Sequence, residues 1–349
     1  MKMAVLLSGG VDSSVALRLA QRQGHDITAF YLKIWLQEEL AFLGDCPWEE
    51  DLKYARAVCE QAGVPLQVVP LQSEYQERVV SHALAELRRG RTPSPDLLCN
   101  QQIKFGLFFQ AIESSYEQVA SGHYAQVECR ADSWLLKRSP DPVKDQTYFL
   151  SRLSQAQLSR IAFPIGHLTK KEVRKIAHDL ELPNRERKDS QGICFLGKIE
   201  YPQFVRFHLG EKAGEIVDID TGNKLGEHHG VWFHTIGQRQ GLGLGGGPWY
   251  VVGKDLDRNR LFVSHATRFL EHARQQFTVT DMHWISHTPE KAELQVKLRH
   301  TPHLDPCRVE RISEGRYQIT LENKDQGVAP GQSAVLYDGE ICLGSGVIE

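Results

Sequence analysis

The sequence predicts an α/β domain at the N-terminus, followed by a small β-rich middle domain and a C-terminal β-barrel. In the first half, short apolar runs alternate with helical patterns, which is typical of β-α-β units and a parallel, doubly wound sheet. After Leu196 this alternation gives way to glycine-rich turns and short β-like runs. From about Glu271 only strand and turn patterns remain, over roughly 80 residues, the size of a small barrel domain. We therefore expect domains at residues 1–197, 198–270 and 271–349.

The elements of the first domain follow from local patterns. Apolar runs predict strands, and the amphipathic stretches between them predict helices. Thr169 and Glu172 have the spacing of a capping box, which predicts a helix ending near Leu180. The predicted strands are Met3–Leu7, Ile27–Leu32, Leu66–Val69 and Gln118–Ala120, and the predicted helices are Ser13–Gln23, Glu49–Ala62 and Gln72–Arg89.

The two later domains are predicted from short apolar runs bounded by turn residues. The segment GLGLGGG at 241–247 contains a Gly-x-Gly pair, but it leads into a strand pattern rather than a helix, so it is not a dinucleotide-binding turn. The predicted strands are Ile216–Ile219, Trp249–Val252 and Leu261–Val263 in the middle domain, and Phe277–Val279, Ala292–Leu298, Arg316–Leu321 and Ser333–Tyr337 in the barrel.

The composition is that of a globular protein with an uneven charge. The 349 residues are 41% hydrophobic and 24% charged, which excludes disordered and collagen-like chains. The net charge of −3 gives no indication of a nucleic-acid partner. However, residues 136–188 contain 12 Lys and Arg against 6 Asp and Glu, whereas residues 272–349 contain 8 against 11. The basic stretch is a candidate phosphate-contacting surface, although a solvated helix face accounts for part of it, at residues 170–175.

The seven cysteines are an odd number and include no CxxC pair, which argues against a disulfide framework, a zinc ribbon and a local iron–sulfur motif. No apolar run approaches the ~20 residues that cross a bilayer, so we expect a cytoplasmic protein without a membrane segment. His228, His229 and His234 have no carboxylate or cysteine at ligand spacing, and we expect no metal site there.

The most informative local motif is LSGGVDSS at 7–14, between the first predicted strand and helix. Glycines at this turn allow backbone N–H groups to surround an anion, and the helix N-terminus adds partial positive charge. The motif is neither a Walker loop nor a GxGxxG turn. A tight turn capped by Asp12 or Ser13 is the purely structural alternative, but the motif's position favours a phosphate site.

SGGVDSS resembles the PP-loop of the ATP pyrophosphatases, which have a Rossmann-like fold of the adenine nucleotide alpha hydrolase type and split ATP between the α and β phosphates. The loop does not by itself identify the substrate. One alternative is a PP-loop ligase that amidates a small metabolite, and another is a non-catalytic, nucleotide-dependent RNA-binding module. An iron–sulfur-dependent thiolase is a narrower variant, which the absence of CxxC disfavours.

Two further passages distinguish among these families. TPSPDLLCNQQIKF at 92–105 and KDSQGICF at 188–195 closely resemble motifs of the tRNA 2-thiouridylases of the MnmA type. The resemblance continues through SGHY at 121–124, KDQTYFL at 144–150, HTIGQRQGLGLGG at 234–246 and the C-terminal PGQSAVLYDGEICLGSGVIE. It therefore covers essentially the whole chain in one register.

This resemblance implies an ATP-dependent tRNA-uridine 2-sulfurtransferase. Such an enzyme adenylates the C2 oxygen of the wobble uridine and replaces it with sulfur from a cysteine persulfide. The implied partners are tRNA and a sulfur donor such as a cysteine desulfurase or a sulfur-relay protein, and the implied cofactors are ATP and Mg²⁺. A wobble base must leave its stack to react, which favours an anticodon loop over a duplex as the substrate.

The resemblance also assigns site residues. Cys99 would be the nucleophile, Cys194 the persulfide carrier and Asp96 an acid or base. Leu32 stands where the family usually has Met, a change that keeps volume and apolar character. The implied ATP-binding residues are Leu6, Leu7, Ser8, Gly9, Gly10, Val11, Asp12, Ser13, Leu32 and Gly122, and the implied tRNA contacts are Ser94, Pro95, Asp96, His123, Lys144, Asp145, Gln146, Arg299, His300 and Gln332.

The chemistry of the individual residues agrees with two of these assignments and leaves a third open. Cys99 lies near the start of a predicted helix, where the helix dipole lowers a thiol pKa. Cys194 is 95 positions further on, so only the fold can bring the two together. His123 is equally well explained as a core histidine or as a residue facing tRNA. We expect the remaining cysteines, Cys46, Cys59, Cys129, Cys307 and Cys342, to be unreactive.

Overall fold

A five-stranded parallel sheet forms the centre of the N-terminal domain. The computed structural model describes residues 1–34, 48–189 and 200–349. Alternate residues of the first strand belong to two apolar clusters, with Ala4 in one and Met3 in the other, so both faces of the sheet are covered. In spatial order the strands are Leu66–Pro70, Asp26–Lys33, Lys2–Leu6, Gln118–Ala120 and Ile161–Ala162.

Helices connect and cover these strands. The capping box at Thr169 is confirmed, because Thr169 Oγ1 accepts from the Glu172 N–H and the Glu172 carboxylate accepts from the Thr169 N–H at 2.7 Å. The predicted helix over 72–89 is one helical run of three segments, the middle one with π-helical hydrogen bonds. The helical segments are Val11–Arg22, Trp48–Ala62, Gln72–Tyr75, Gln76–Val80, Ser81–Arg88, Pro95–Leu98, Cys99–Leu107, Phe108–Ala111, Thr147–Leu150, Gln155–Leu158, Lys170–Asp179 and Tyr201–Leu209, with 3₁₀ turns at Val231–Phe233 and Phe269–His272.

The middle domain contains a four-stranded sheet around a small apolar cluster that includes Val251, Leu261 and Val263. Its strands in spatial order are Trp249–Asp255, Arg260–His265, Gly214–Asp218 and Lys224–His228. The central two strands are parallel and both outer pairings are antiparallel.

The C-terminal domain is a closed barrel of six strands. Closure follows from the pairing of its first and last strands, with Val279 opposite Ile348. Closing the sheet removes its exposed edges and encloses one apolar cluster. Around the barrel the strands are Arg274–Trp284, Arg316–Asp325, Asp305–Ser313, Glu293–Lys297, Ser333–Asp338 and Ile341–Ile348.

A β-hairpin of the N-terminal domain extends the barrel sheet. This hairpin arm consists of strands Ala125–Arg130 and Ser133–Arg138, joined by two residues with positive φ, 48° and 63°. Its second strand pairs with the last barrel strand, with Lys137 opposite Ile341. The first and last domains therefore share one continuous sheet, which the sequence patterns did not predict.

Each strand predicted from sequence is confirmed, with ends that differ by up to a few residues. Five strands were not predicted: the edge strand Ile161–Ala162 of the parallel sheet, the two strands of the hairpin arm, Lys224–His228 and Asp305–Ser313. The last strand, Ile341–Ile348, was recognised only as part of a motif. Within the described ranges, no helix is both long and apolar enough to cross a membrane.

Candidate active site

The glycine loop, residues 8–14, connects the central strand to helix Val11–Arg22. Gly9 has φ of 76°, a left-handed conformation that favours glycine, and Gly10 is the N-cap residue. Ser13 Oγ accepts from the Ser8 N–H at 3.2 Å and lies 3.1 Å from the Gly10 carbonyl, to which it donates. These bonds hold the loop in a tight turn at the N-terminus of a 12-residue helix, where an anion is stabilised.

Two distant residues predicted to bind ATP lie near this loop. A Cβ atom on Gly122 would lie 2.6 Å from the backbone nitrogen of Ser13, so only glycine allows this approach. Leu32 is near the carboxyl end of the neighbouring strand, two residues beyond the Leu6–Phe30 pair. Ligands of open parallel sheets bind at this edge. The fold thus brings Gly122 to the loop and places Leu32 at the same sheet edge.

A chain of ion pairs connects the loop to the KDS motif. Lys170 Nζ lies 2.7 and 2.9 Å from the two carboxylate oxygens of Asp12, and 2.8 Å from Asp189 Oδ1. The Tyr124 hydroxyl donates to Asp12 Oδ1 at 2.8 Å. Asp189 also pairs with Arg174 and, at 2.7 Å, with Lys144. Lys170 therefore links the carboxylate at the helix N-terminus with the carboxylate at the start of the second cysteine motif.

The protonation states in this chain are set by burial and by the neighbouring charges. Burial raises the pKa of Asp189, but hydrogen bonds from Lys144 and Lys170 outweigh it and hold that pKa below its ordinary value. Burial and the Asp12 carboxylate raise the pKa of Tyr124, so its hydroxyl remains a donor. At neutral pH Asp189 is therefore ionised and the Tyr124 hydroxyl is a neutral donor.

The chain just before the KDS motif also binds the glycine loop directly. The Asn184 side chain donates to the Gly9 carbonyl at 2.8 Å and to Ser14 Oγ at 2.9 Å. Arg187 donates to the same Gly9 carbonyl at 3.1 Å and pairs with Asp51. The segment from Asn184 to Asp189 therefore lies beside the glycine loop. Cys194 and Cys46 lie outside the described residues.

Cys99 and Asp96 occupy one helical run. The run begins at Pro95, so Asp96 is in its first turn and Cys99 follows three residues later, as the sequence predicts. The Cys99 side chain is 1% exposed and belongs to an apolar cluster with Tyr75 and Phe204. Its neighbour Asn100 donates to the Phe149 carbonyl at 3.0 Å, which connects this helix to the KDQTYFL segment.

Several predicted tRNA contacts meet where the 91–95 segment packs against the barrel. The Thr92 N–H donates to the Pro330 carbonyl at 2.8 Å, and the Tyr148 hydroxyl donates to the Ser333 carbonyl at 3.1 Å. Ser94 and Pro95 therefore lie near Gln332, although they are more than 230 positions apart in sequence. Pro95 is buried, whereas Ser94 and Gln332 are half-buried.

The other predicted tRNA contacts lie around the 144–146 segment. Lys144 is partly exposed, and Gln146 Oε1 accepts from the Tyr124 N–H at 2.9 Å. Arg299 forms a bidentate pair with Asp325, at 3.0 and 2.7 Å. His300 Nε2 lies 2.9 Å from the Asp145 carbonyl. These residues form one neighbourhood between the N-terminal domain and the barrel.

Asp145 is the predicted tRNA contact with the most enclosed side chain. This side chain is 0% exposed and its carboxylate pairs with Lys297 and Arg138, at 2.8 and 3.1 Å. A tRNA contact at this position stays a prediction. Motif similarity gave the position but not the burial.

His123 has features of a core histidine. Its ring lies 5.9 Å from Phe105 and 5.8 Å from Phe163, and its Nδ1 is 2.8 Å from Ser121 Oγ. Loss of hydration, with a contribution from Lys104, lowers the pKa of His123 well below its ordinary value. The ring is therefore neutral. A contact with tRNA remains a prediction.

Internal ion pairs account for much of the predicted basic stretch. Lys137 pairs with Glu128, and Lys170, Arg174 and Lys144 all pair with Asp189. Part of the local positive charge is therefore neutralised by carboxylates of the same protein. Lys170, Asn184 and Arg187 were not predicted as site residues, because each reaches the loop across more than 150 positions and none lies in a recognised motif.

Family models match the chain in three consecutive blocks. A tRNA methyl transferase HUP domain matches residues 1–198, a tRNA methyl transferase PRC-barrel domain matches 202–265, and an aminomethyltransferase beta-barrel domain matches 274–348. The tRNA-specific 2-thiouridylase MnmA 1 of Bacteroides thetaiotaomicron is 45% identical over 355 residues, covering 100% of this chain and 99% of that protein. The chain belongs to the MnmA family.

Other MnmA proteins give the same result. MnmA 2 of Bacteroides fragilis is 46% identical over 356 residues, covering 100% of both proteins. Among solved structures, an NMN synthetase from Francisella tularensis aligns with a TM-score of 0.34 at 16% identity, over 60% of this chain and 78% of that one. Membership of the MnmA family therefore rests on sequence similarity along the whole chain.

Proposed function

We propose that this protein is an ATP-dependent tRNA-uridine 2-sulfurtransferase that converts the wobble uridine to 2-thiouridine. The observation that carries the proposal is the full-length similarity to relatives named tRNA-specific 2-thiouridylase, at 43% to 46% identity. The glycine loop supports it, because the chain entering the KDS motif lies directly against that loop.

ATP binds at the glycine loop in this proposal. The helix N-terminus and backbone N–H groups of the loop stabilise the phosphates, and Leu32 and Gly122 border the nucleoside. The uridine C2 oxygen attacks the α-phosphorus and pyrophosphate leaves. Asp12 is the carboxylate at the loop, a ligand type that Mg²⁺ prefers beside phosphates, although Lys170 now occupies both of its oxygens. When bound, Mg²⁺ neutralises charge on the phosphate oxygens.

The two cysteines complete the reaction. The terminal sulfur of a Cys194 persulfide is transferred to C2, and AMP leaves with the former C2 oxygen. In one branch the Cys99 thiolate attacks the persulfide first and releases hydrogen sulfide, which then attacks C2. In the other, the persulfide attacks C2 and Cys99 then attacks Cys194 Sγ. Both branches leave a Cys99–Cys194 disulfide, and Asp96 exchanges protons near Cys99.

The remaining parts of the proposal concern partners and compartment. The surface between the 91–95 segment, the 144–146 segment and the barrel loops at Arg299 and Gln332 would bind the tRNA. A thiol reductant would first reduce the Cys99–Cys194 disulfide, and a persulfide donor such as a cysteine desulfurase or a sulfur-relay protein would then reload the Cys194 thiolate. We place the reaction in the cytoplasm, because a reducing compartment keeps thiols such as Cys59, Cys129, Cys307 and Cys342 unpaired, as they are here.

The test is to measure 2-thiouridine and tRNA-dependent pyrophosphate for Cys99→Ser and Cys194→Ser. We expect each substitution to reduce thiolation by about 10³-fold or more while pyrophosphate release continues, because adenylation precedes sulfur transfer. Cys129→Ser, at an exposed cysteine, is the matched control and should remain active. Wild-type thiolation by either variant would refute the assigned cysteine roles. Absence of tRNA-dependent pyrophosphate from the wild-type protein would refute the activity.

A further inference from the structure

A fully buried ion pair joins the N-terminal domain to the barrel. Lys297 is the last residue of strand Glu293–Lys297, and its Nζ lies 2.8 Å from Asp145 Oδ2. Both side chains are 0% exposed. Asp145 belongs to the segment that precedes Thr147–Leu150, so this contact crosses from one domain to the other.

The Asp145 carboxylate is completely surrounded by donors. Besides Lys297 it accepts from Thr147 Oγ1 at 2.8 Å and from Arg138 Nε at 3.1 Å, and the Thr147 N–H lies 3.3 Å away. Burial raises the pKa of Asp145, but attraction to Lys297 and these hydrogen bonds lower it below its ordinary value. The Asp145 carboxylate is therefore ionised at neutral pH. Because desolvation offsets most of its attraction, such a pair specifies geometry more than it adds stability.

The residues on either side of Asp145 contact the N-terminal domain. Lys144 keeps 36% of its side chain exposed while its Nζ lies 2.7 Å from Asp189 Oδ2, and Gln146 is hydrogen-bonded to the backbone of Tyr124 beside the glycine loop. His300, three residues after Lys297, lies 2.9 Å from the Asp145 carbonyl through Nε2. The barrel therefore holds Asp145 at two points: Lys297 pairs with its side chain and His300 lies beside its carbonyl. The flanking residues Lys144 and Gln146 contact the N-terminal domain instead.

We propose that Lys297 is a positioning residue, which fixes Asp145 so that Lys144 and Gln146 are presented to tRNA. This inference rests on the proposed function. It gives the barrel a second role, because a barrel residue that is itself inaccessible to RNA sets the geometry of a contact made by the N-terminal domain. Without Lys297 the buried Asp145 carboxylate loses its fully buried cation. Solvating this carboxylate then favours a movement of the 144–146 segment toward water.

The test measures binding of an unmodified tRNA transcript over a series of salt concentrations, without ATP. Each lost phosphate contact makes the slope of log K against log salt shallower by about 0.7 to 0.9. We expect Lys297→Met to weaken binding by about tenfold with a slope change of one contact. Lys144→Met should give the same change, and the double variant should be no worse than either single one. Lys291→Met is the control, because Lys291 is on the same barrel, exposed and paired with Asp338.

A general loss of structure is separated from positioning by three further measurements. ATP affinity should stay within about twofold, because the 144–146 segment contacts Tyr124 and Asp189 beside the glycine loop while Lys297 belongs to the barrel. Lys297→Arg keeps the cation on a larger, planar head group and should restore part of the slope. If Lys297→Met does not fold, Asp145→Asn combined with Lys297→Met removes both buried charges and is expected to fold while keeping the shallow slope.

A wild-type slope and affinity in Lys297→Met, or in the double variant Asp145→Asn/Lys297→Met, would overturn the positioning role. Equal loss of ATP and tRNA binding would also overturn it, because that pattern is what a purely structural residue produces. If the wild-type protein does not bind tRNA at all, the proposed function itself fails, and this result differs from a failure confined to the variants.

Discussion

At the scale of single residues, the glycine loop depends on a lysine that lies 158 positions away in sequence. Lys170 is the first residue of helix Lys170–Asp179, and the Thr169 capping box fixes the start of that helix. Its ammonium group lies between the carboxylates of Asp12 and Asp189 and is 16% exposed. The arrangement neutralises two acidic groups that would otherwise repel each other beside the phosphate site.

Replacing Lys170 with Met should therefore destabilise the protein. The change leaves two partly buried carboxylates without a shared cation, which costs about 1 to 3 kcal/mol, more than an exposed pair would. Lys175→Met is the matched control on the same helix, since Lys175 is 75% exposed and pairs with Asp179. Its effect should be below about 0.5 kcal/mol. Thermal unfolding midpoints compare the two, and equal midpoints would contradict the role given to Lys170.

The predictability of these residues follows from how they are distributed in sequence. The loop at 8–14 is contiguous and its glycines and serines are all local, so it was predicted. Lys170 was not, because its contacts depend on how a later helix packs. The burial of Asp145 was not predicted either, since it depends on Lys297, a residue 152 positions further on. A sequence motif therefore indicates which chemical groups are close together in sequence, whereas the burial of each side chain depends on tertiary packing.

At the scale of elements, the hairpin arm is the main connection between the parallel-sheet domain and the barrel. Its second strand places Leu136 opposite Cys342 of the last barrel strand. Leu136 is 0% exposed and packs in a cluster with Phe105 and Tyr148 of the first domain and Val335 and Tyr337 of the barrel. One apolar core therefore spans both domains.

Truncating Leu136 to Ala should cost about 2 to 5 kcal/mol, because it leaves a cavity at the centre of this shared core. Ile312→Ala, at a barrel side chain that is 54% exposed, should change stability by less than about 0.5 kcal/mol. Urea unfolding measures both. If the hairpin arm is integral to the shared core, the two domains should lose stability together in Leu136→Ala. Separate loss from the barrel alone would contradict this.

Two of the strands that sequence patterns missed, Asp305–Ser313 and Lys224–His228, are mostly exposed. Most of Asp305–Ser313 is exposed, with Cys307 as its one buried residue, so no apolar alternation marks it. Lys224–His228 similarly buries only His228. Apolar strands such as Lys2–Leu6 and Gln118–Ala120 were predicted because both of their faces are covered. The apolar pattern of a sequence therefore indicates which strands are buried, and it does not identify exposed strands that are held mainly by backbone hydrogen bonds.

At the scale of the whole molecule, all three domains meet at residues 90–92. Lys254 of the middle domain donates to the Gly90 carbonyl at 2.9 Å, and Thr92 Oγ1 lies 3.2 Å from Thr235 Oγ1. The barrel binds the same segment through the Thr92–Pro330 hydrogen bond. This segment leads directly to Ser94 and Cys99, so the packing of the two C-terminal domains defines where the first cysteine motif begins.

A buried histidine pair lies next to this junction. His234 is 7% exposed and His228 is 3% exposed, with ring centroids 5.8 Å apart. Burial lowers the pKa of His234 to about 4, with contributions from His228, Lys254 and His229. Burial also lowers the pKa of His228. Both rings are therefore neutral in the folded protein at pH 7, and protonating either would place a charge beside another basic group.

Acidification should loosen the middle domain because of this pair. An unfolded histidine has a pKa near 6.5. Between that value and about 4 the unfolded chain therefore binds more protons than the folded one, and the free energy of unfolding decreases as the pH is lowered. For His234 the loss from pH 7 to pH 5 is about 2 kcal/mol. Burial also lowers the pKa of Lys254, to about 8, but that residue is protonated throughout this range and adds no pH dependence.

Amide hydrogen exchange of strand Trp249–Asp255 measures the local opening of the middle domain. His234→Gln should remove most of the pH dependence, whereas His287→Gln, at an exposed position, should retain it. An unchanged pH dependence in His234→Gln would show that other groups control the opening of this domain.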